Sequence, residues 1–179
     1  MTTTLFTNAH IATGEPGSTA ASTLPLQDIL VTDGVFTAFG PGLAQQYEAQ
    51  GGDLAAIEVV DLGGKLVCPP FCDTHLHLDY VFTARKPGAV NESGTLFEGI
   101  QRWSETKSDL TVDEIKQRAK IGIKKEMLHG VQLIRSHADV TDPNLTSLKA
   151  LLELKEELKD TVTLQIVSFP QEGMYSYEG

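Results

Sequence analysis

Two histidines separated by one residue, His75 and His77, are the side chains of this sequence best suited to chemistry. Successive side chains of an extended strand alternate between its faces, so these two imidazoles would point the same way and could ligate one cation. Imidazole suits zinc, iron, nickel and copper, so the pair alone leaves the metal open. A chance pair on a solvated strand is the alternative. The apolar run before the pair and the flanking carboxylates of Asp73 and Asp79 favour a metal site.

Composition limits the class of protein and its partners. The chain of 179 residues has an ordinary globular composition, with 41% hydrophobic and 21% charged residues. Its formal net charge of −10 opposes binding to phosphate backbones, so nucleic acid is not expected as a partner. The sequence has no apolar run of about 18 residues and no secretory signal, so we expect a cytoplasmic protein without a membrane partner. Cys68 and Cys72 are interpreted as buried, reduced thiols.

Residues 1–65 are typical of a small β-domain, which we predict to be of sandwich type. The elements predicted there are a strand over Leu5–Thr13, a loop over Gly14–Ser22 and a short helix or loop over Gly42–Asp53. Asp33-Gly34 and Gly63-Gly64 each separate two β-rich runs, and such dipeptides favour the tight turns of hairpins. Two hairpins, over Asp28–Phe39 and Ile57–Cys68, are therefore predicted.

Residues 66–179 alternate between strands and helices, which is typical of a parallel α/β sheet. After the strand that carries the histidine pair, the predicted helices cover Thr95–Lys107, Thr111–His129 and Asn144–Asp160, and the predicted strands cover Val131–Val140 and Val162–Phe169. Thr111 and Glu114 form a capping box, and Gly130 supplies the left-handed residue that ends the same helix. Apolar spacing places Trp103 in the core.

Polar residues follow the ends of the three predicted parallel strands. Ligands bind at the carboxyl ends of such strands, so these residues form the candidate site. Besides the histidine pair, they include Arg135, His137 and Asp139 on one face of the second strand, and Gln171 just past the third. A hydrogen-bonded interior histidine is the alternative for His137, and a solvated loop side chain is the alternative for Gln171.

Several segments resemble a known family. The motif Pro-Pro-Phe-x-Asp-x-His-x-His-Leu-Asp after a small β-domain is similar to that of the amidohydrolase superfamily. Within that superfamily, the segments Ser93–Trp103, His137–Val140 and Leu164–Gly173 resemble bacterial cytosine deaminases. The resemblance implies that residues 66–179 are the first three β/α units of a TIM-like (β/α)8 barrel.

The same resemblance implies roles for individual residues. His75 and His77 would be metal ligands, with iron or zinc as the divalent ion. Gln171 would hydrogen-bond a small, cytosine-like substrate, and Leu96 would form part of the pocket wall. Apart from the resemblance, His137, Asp139 and Asp79 are our candidates for side chains that lie behind the ligands and orient them. A tendency to form homo-oligomers is also implied.

The resemblance covers only part of a barrel. A complete barrel has eight strands in roughly 250 residues, whereas residues 66–179 hold three β/α units. The family's remaining metal ligands and its proton-shuttling residues come from later strands, so we assign no catalytic acid or base in this chain. The chain is therefore predicted to be the amino-terminal portion of a larger unit and to be inactive alone.

Three functions fit these observations. The first is hydrolytic deamination of cytosine, or of a closely related amino-substituted pyrimidine, with uracil and ammonia as the products from cytosine. The second is hydrolysis of another cyclic amidine or cyclic amide by an enzyme of the same superfamily. The third is a non-catalytic metal-binding or interaction module. The smaller zinc deaminase fold that acts on nucleic acids is disfavoured, because its His-x-Glu and Pro-Cys-x-x-Cys signature is absent.

Overall fold

The computed structural model describes residues 2–12 and 24–174, so the predicted loop over Gly14–Ser22 lies outside the described residues. The chain has a mixed α/β architecture and divides into two compact units, 1–69 and 70–179. Within the described ranges, no helix is long and apolar enough to cross a lipid bilayer. Cys68 and Cys72, which were predicted to be buried, are exposed free thiols.

The first unit is built on one mixed sheet. Its elements are β1 (Thr3–Ile11), β2 (Leu26–Thr32), β3 (Val35–Gly40), α1 (Leu43–Ala49), a 3-10 turn (Leu54–Ala56), β4 (Glu58–Asp61) and β5 (Leu66–Val67). The strand order is β3-β2-β1-β4, and β5 pairs with β1 beyond β4. Because the described strands of this unit lie in a single sheet, the predicted sandwich is not confirmed.

The predicted hairpin around Asp33-Gly34 is confirmed. β2 and β3 pair antiparallel, with Thr32 opposite Val35 at the turn. Asp33 and Gly34 both have positive φ angles, 49° and 78°, as a two-residue turn of this kind requires.

The predicted hairpin over Ile57–Cys68 is wrong. β4 and β5 both pair parallel with β1, and they follow one another along its edge. The Gly63-Gly64 segment between them accommodates an irregularity in β1, where Asn8 has a φ of 57°. The amide of Gly64 donates to the carbonyl of Asn8 at 2.8 Å, so the two glycines continue the pairing instead of reversing the chain.

A buried carboxylate fixes this irregularity to α1. Asp28 is buried, and its two oxygens accept from the amides of Asn8 at 3.1 Å and Leu43 at 2.9 Å. Leu43 is the first residue of α1, so Asp28 supplies an acceptor for an otherwise unsatisfied amide at the helix start.

The second unit is a parallel sheet with helices, as predicted from the alternation of elements. Its elements are β6 (Phe71–Leu76), a 3-10 turn (Thr83–Arg85), α2 (Leu96–Lys107), α3 (Val112–Leu128), β7 (Val131–Asp139), α4 (Thr146–Glu157) and β8 (Thr163–Phe169). The strand order is β6-β7-β8, and both neighbouring pairs are parallel. The carboxyl ends of the three strands therefore share one edge, where Asp139 pairs in register with Phe169.

The core of this unit lies between the helices and β7. Ile115, Ala119 and Ile123 of α3 are fully buried with Ile134 of β7 and Leu151 of α4. Apolar burial of this kind contributes roughly 25 cal/mol per Å², so this layer holds the strands in place. Trp103 is also buried in this cluster, as its spacing predicted.

A threonine, Thr111, precedes the first residue of α3. Its hydroxyl oxygen accepts from the amide of Glu114 at 3.2 Å, which confirms the predicted cap at the helix start. The reciprocal bond of a capping box is not seen among the described residues, where the Glu114 carboxylate pairs with Lys86. The Thr111→Ala variant should lower the free energy of unfolding by about 1 kcal/mol, because the amide of Glu114 loses its acceptor. Thr111→Ser keeps the oxygen and should be close to the parent in urea unfolding. Equal losses in the two variants would contradict the capping role.

Candidate active site

Three imidazoles meet at the carboxyl edge of the parallel sheet. His75 is the second-to-last residue of β6, and His77 directly follows the strand. Their ring centroids are 5.3 Å apart, with an angle of 57° between the rings. His137 of β7 stacks on His75 at 4.0 Å and lies 5.5 Å from His77. The structure thus brings together the histidine pair and the histidine that the sequence placed at the neighbouring strand end.

Aromatic side chains enclose His77 on two sides. Tyr80 stacks on it at a centroid distance of 4.6 Å, and Phe169, the last residue of β8, meets it edge-on at 5.3 Å. Phe169 also meets His137 edge-on at 5.6 Å. The three strand ends therefore form one aromatic cluster, and sequence reasoning had assigned no role in it to Tyr80 or Phe169.

This environment keeps His77 uncharged. Burial, together with the neighbouring rings of His137 and His75, lowers the pKa of His77 to about 4. Burial and the proximity of His75 also lower the pKa of His137. A neutral imidazole is the form that ligates metal, and the buried Nδ1 atom of His77 makes no hydrogen bond within the described part of the chain. His77 is therefore ready to donate a lone pair.

The donor set fits part of a metal site. Within residues 2–12 and 24–174, no three side chains of the His, Cys, Asp and Glu types are grouped so that they could hold a metal ion. His137 does not complete such a group because its ring is inclined by only 22° to that of His75. Ring nitrogens bind in the plane of the ring, so two stacked rings do not converge on one ion. A catalytic zinc site usually has three protein ligands, so His75 and His77 would be two of them.

Two buried carboxylates lie behind the imidazoles. Asp79 and Asp139 are almost completely buried, and the amide of Asp139 donates to Asp79 Oδ2 at 2.8 Å. Burial raises the pKa of Asp79 to about 6, which the hydrogen bond from Asp139 only partly offsets. Their proposed role in orienting the histidines stays a prediction.

The carboxylate of Asp139 is the acceptor for three side chains. It accepts from Trp103 Nε1 at 2.7 Å and Lys107 Nζ at 3.2 Å, both on α2, and from Thr141 Oγ1 at 2.6 Å. Burial opposes the charge on Asp139, but these donors outweigh it and lower the pKa of the carboxyl group. Arg135, which the sequence grouped with Asp139, donates instead to the Gln165 side chain at 2.7 Å on the exposed face of the sheet.

The two predicted substrate-binding residues line one pocket. Leu96 and Gln171 border a cavity of about 350 Å³ together with Tyr80, Ile100 and Trp103. That volume is within the usual range for small-molecule sites. Tyr80 also stacks on His77, so the pocket adjoins the imidazole cluster. Burial and the charge on Asp79 raise the pKa of Tyr80 to about 12, which keeps its hydroxyl protonated.

A larger cavity lies elsewhere on the same sheet. It has a volume of about 420 Å³, and its lining includes Thr74, which precedes His75, and Arg135, which lies two residues before His137. We place the candidate site at the smaller cavity, because both predicted substrate-binding residues line it and its Tyr80 stacks on His77.

A network of hydrogen bonds shapes the entrance loop of the smaller cavity. The carboxylate of Glu98 accepts from the amides of Glu92 and Ser93, at 3.1 and 2.7 Å, and from the Ser93 hydroxyl. The side chain of Asn91 spans the same loop by accepting from the amide of Gly94 at 2.9 Å. These bonds fix the chain that leads into Leu96, the first residue of α2.

Comparisons with known proteins bear on the family and the fold of this chain. The family model described as "Amidohydrolase family" matches residues 58–179. A structure of 5-methylcytosine deaminase from Klebsiella pneumoniae, liganded with 5-fluorocytosine, is 40% identical with a TM-score of 0.78, covering 97% of this chain and 38% of that one.

Two curated relatives are similar in sequence. N-isopropylammelide isopropyl amidohydrolase from Pseudomonas sp. (strain ADP) is 35% identical over 120 residues, which are 65% of this chain and 30% of that protein. Pterin deaminase from Rhizobium rhizogenes is 27% identical over 152 residues, which are 82% of this chain and 32% of that protein. The chain thus spans about a third of the length of these relatives.

The family match covers more than half of the chain, including the histidine pair, the three parallel strands and both pocket residues. This chain belongs to the amidohydrolase family.

Proposed function

We propose that the polypeptide carrying this chain is a metal-dependent deaminase of cytosine or a closely related amino-substituted pyrimidine. The overall reaction consumes water and converts cytosine to uracil and ammonia. The observation that carries the proposal is the pocket shared by Gln171 and Leu96, which adjoins the imidazoles through Tyr80. Its support is the 40% identity to a deaminase whose structure holds a cytosine analogue.

The proposal includes an architecture. Residues 66–179 would be the first three β/α units of a TIM-like barrel, and residues 1–65 would belong to a small β-domain that precedes it in the chain. The parallel order β6-β7-β8, with helices between the strands, supports this arrangement. Barrels of this kind place their active sites at the carboxyl ends of the strands, where the imidazoles of this chain lie. Assembly into homo-oligomers is part of the proposal.

His75 and His77 would hold the metal ion, iron or zinc. Such an ion, when bound, activates water for attack at neutral pH. The protein's own contribution is to present His77 as a neutral ligand, since its pKa is about 4. Phe169 and Tyr80 shield this imidazole from solvent on two sides.

The pocket residues would select and orient the ring. A glutamine amide can donate one hydrogen bond and accept another, so Gln171 matches a ring that presents a carbonyl beside a ring nitrogen. Leu96, Ile100 and Trp103 supply apolar walls for the flat faces of the ring. We assign no general acid or base among residues 2–12 and 24–174, so the proton transfers are left to groups beyond them.

The experiment is ammonia release from cytosine, isocytosine, creatinine and aminotriazines, measured with the natural polypeptide that carries this chain. We expect turnover of cytosine, and we expect none from the purified 179-residue chain alone, because it contributes only two metal ligands. If no pyrimidine of the panel releases ammonia, the proposed substrate class is wrong. Clear cytosine turnover by the 179-residue chain, with its mass confirmed, would contradict the expected inactivity.

A second substrate class has its own support. The 35% identity to an amidohydrolase of N-isopropylammelide favours an amino-substituted triazine or another cyclic amidine. The same substrate panel distinguishes the two classes, because they differ in which ring releases an amine. An open-chain carboxylate as product would indicate hydrolysis of a cyclic amide. A non-catalytic metal-binding module would release neither product from any member of the panel.

A further inference from the structure

Lys107, the last residue of α2, contacts the chain segments that follow two different strands. Its Nζ lies 3.2 Å from Asp139 Oδ2 at the end of β7 and 2.8 Å from Glu172 Oε1 in the segment after β8. It also donates to Thr141 Oγ1 at 2.6 Å. The side chains of Lys107 and Glu172 are only 10% and 12% exposed, and that of Asp139 only 2%.

The buried surroundings of these ion pairs reduce their screening by water and make the loss of one partner costly. Burial alone would lower the pKa of Lys107, but the carboxylates of Glu172 and Asp139 outweigh it and raise the pKa above its usual value. An exposed ion pair contributes little because water and salt screen it. A pair this deeply buried is screened much less, and removal of one partner leaves a charge in a poorly solvated place.

The position of Glu172 gives these contacts a consequence for the site. Glu172 is the residue directly after Gln171, and a tight turn brings the amide of Gly173 to the carbonyl of Pro170 at 2.9 Å. The loop that carries Gln171 into the pocket is therefore attached to α2 by its neighbouring side chain. The other carboxylate partner, Asp139, donates its amide to Asp79, so the same cation is linked to the chain just after His77.

We propose that Lys107 is a positioning residue that fixes the 170–174 loop, and with it the Gln171 amide, against α2. The inference rests on the proposed function for its effect on substrate, since Gln171 is the group proposed to hold the ring. Its structural part, the attachment of the loop, is independent of any activity. Lys107 itself touches no substrate in this scheme.

The chain offers a matched control lysine. Lys116 of α3 is 14% exposed and also pairs with two carboxylates, Glu153 at 2.7 Å and Glu157, both on α4. It joins α3 to α4, and it belongs neither to the lining of the pocket nor to the contacts of the 170–174 loop described above. Lys116→Met removes a lysine of similar side-chain exposure from the same unit, although its two carboxylate partners are more exposed, 53% and 39%. It reports the loss of a paired lysine without the loss of loop attachment.

The test compares three variants of the natural polypeptide, Glu172→Ala, Lys107→Met and Lys116→Met. Glu172→Ala is the decisive one, because it detaches the loop while the Lys107–Asp139 pair stays in place. Amide hydrogen exchange in a peptide covering 170–174 should become about tenfold faster in Glu172→Ala and Lys107→Met, and should match the parent in Lys116→Met. Unchanged exchange in Glu172→Ala would overturn the inference.

Kinetics with the turned-over pyrimidine tests the effect on substrate. Glu172→Ala should raise KM about tenfold and change kcat less than about twofold, because a loosened Gln171 weakens ground-state and transition-state binding alike. Faster exchange with an unchanged KM would overturn the positioning of Gln171. If no substrate of the panel is turned over by the parent, the proposed function fails, and the exchange experiment still decides whether Lys107 holds the loop.

Discussion

Replacement of His77 by alanine is expected to weaken divalent metal binding by more than about 100-fold, since even the loss of a group behind a ligand costs 10- to 100-fold. His77 is the better probe of the pair, because its environment keeps it neutral and its buried Nδ1 has no hydrogen-bond partner within the described residues. His75→Ala should have a similar effect. Metal content after dialysis and competition with a chelator measure the loss, and ammonia release should fall with it.

A control for this experiment is available within the same unit. His129 is an exposed histidine that ends α3, and it takes no part in the imidazole cluster. His129→Ala should therefore keep the metal affinity of the parent. A His77→Ala polypeptide that still binds one metal ion per chain with the parent's affinity would contradict the assignment of His77.

Replacement of Asp139 by alanine should lower the free energy of unfolding by about 3–5 kcal/mol, the range expected when one partner of a buried ion pair is removed. The change takes the acceptor away from Trp103 Nε1 and removes one of the two carboxylates beside Lys107. Chemical denaturation of the natural polypeptide, followed by circular dichroism, measures the effect.

Two further variants make the Asp139 result specific. Trp103 and Thr141 donate to different oxygens of Asp139, so Asp139→Asn keeps the acceptor for only one of them. It should still lose clearly less stability than Asp139→Ala, which removes both acceptors. Asp160→Ala removes an exposed carboxylate from the same unit and should stay within about 0.5 kcal/mol of the parent. A loss of less than about 1 kcal/mol in Asp139→Ala would show that the buried network does not support the fold.

Local patterns were sufficient to predict the second unit. The spacing of apolar residues, the Thr111 cap and Gly130, with its φ of 86°, all act over one or two turns of chain, and the helices and strands lie where these signals place them. The gathering of His75 and His137 was predictable for a related reason, because the carboxyl ends of adjacent parallel strands must share one edge.

Which strands pair with one another was harder to predict in the first unit. Gly63-Gly64 has the chemistry of a hairpin turn, but turn chemistry states only how a short segment can bend. The outcome depended on β1, whose irregularity at Asn8 leaves an edge along which β4 and β5 pair in succession. The information about that edge lies some fifty residues away in the sequence, where no local rule can detect it.

The side-chain network behind the imidazoles was not predicted for the same reason. Lys107 lies 32 residues from Asp139 in the chain, and the sequence placed it only as the last residue of a predicted helix. A weak signal existed in Glu172, a charged residue next to a glutamine just past a strand end. Tyr80 gave no comparable signal, since its stacking on His77 depends on the course of the chain after β6.

Helix α2 carries both the wall of the pocket and the anchor of the network behind it, at opposite ends of a rod about 17 Å long between Leu96 and Lys107. These ends differ in how freely they can evolve. The side chain of Leu96 is 74% exposed, so its size or shape can change at little cost to folding, whereas Trp103 and Lys107 are tied into the buried interior. Mutations that broaden the range of accepted rings should therefore accumulate at Leu96, and Trp103 and Lys107 should tolerate few changes.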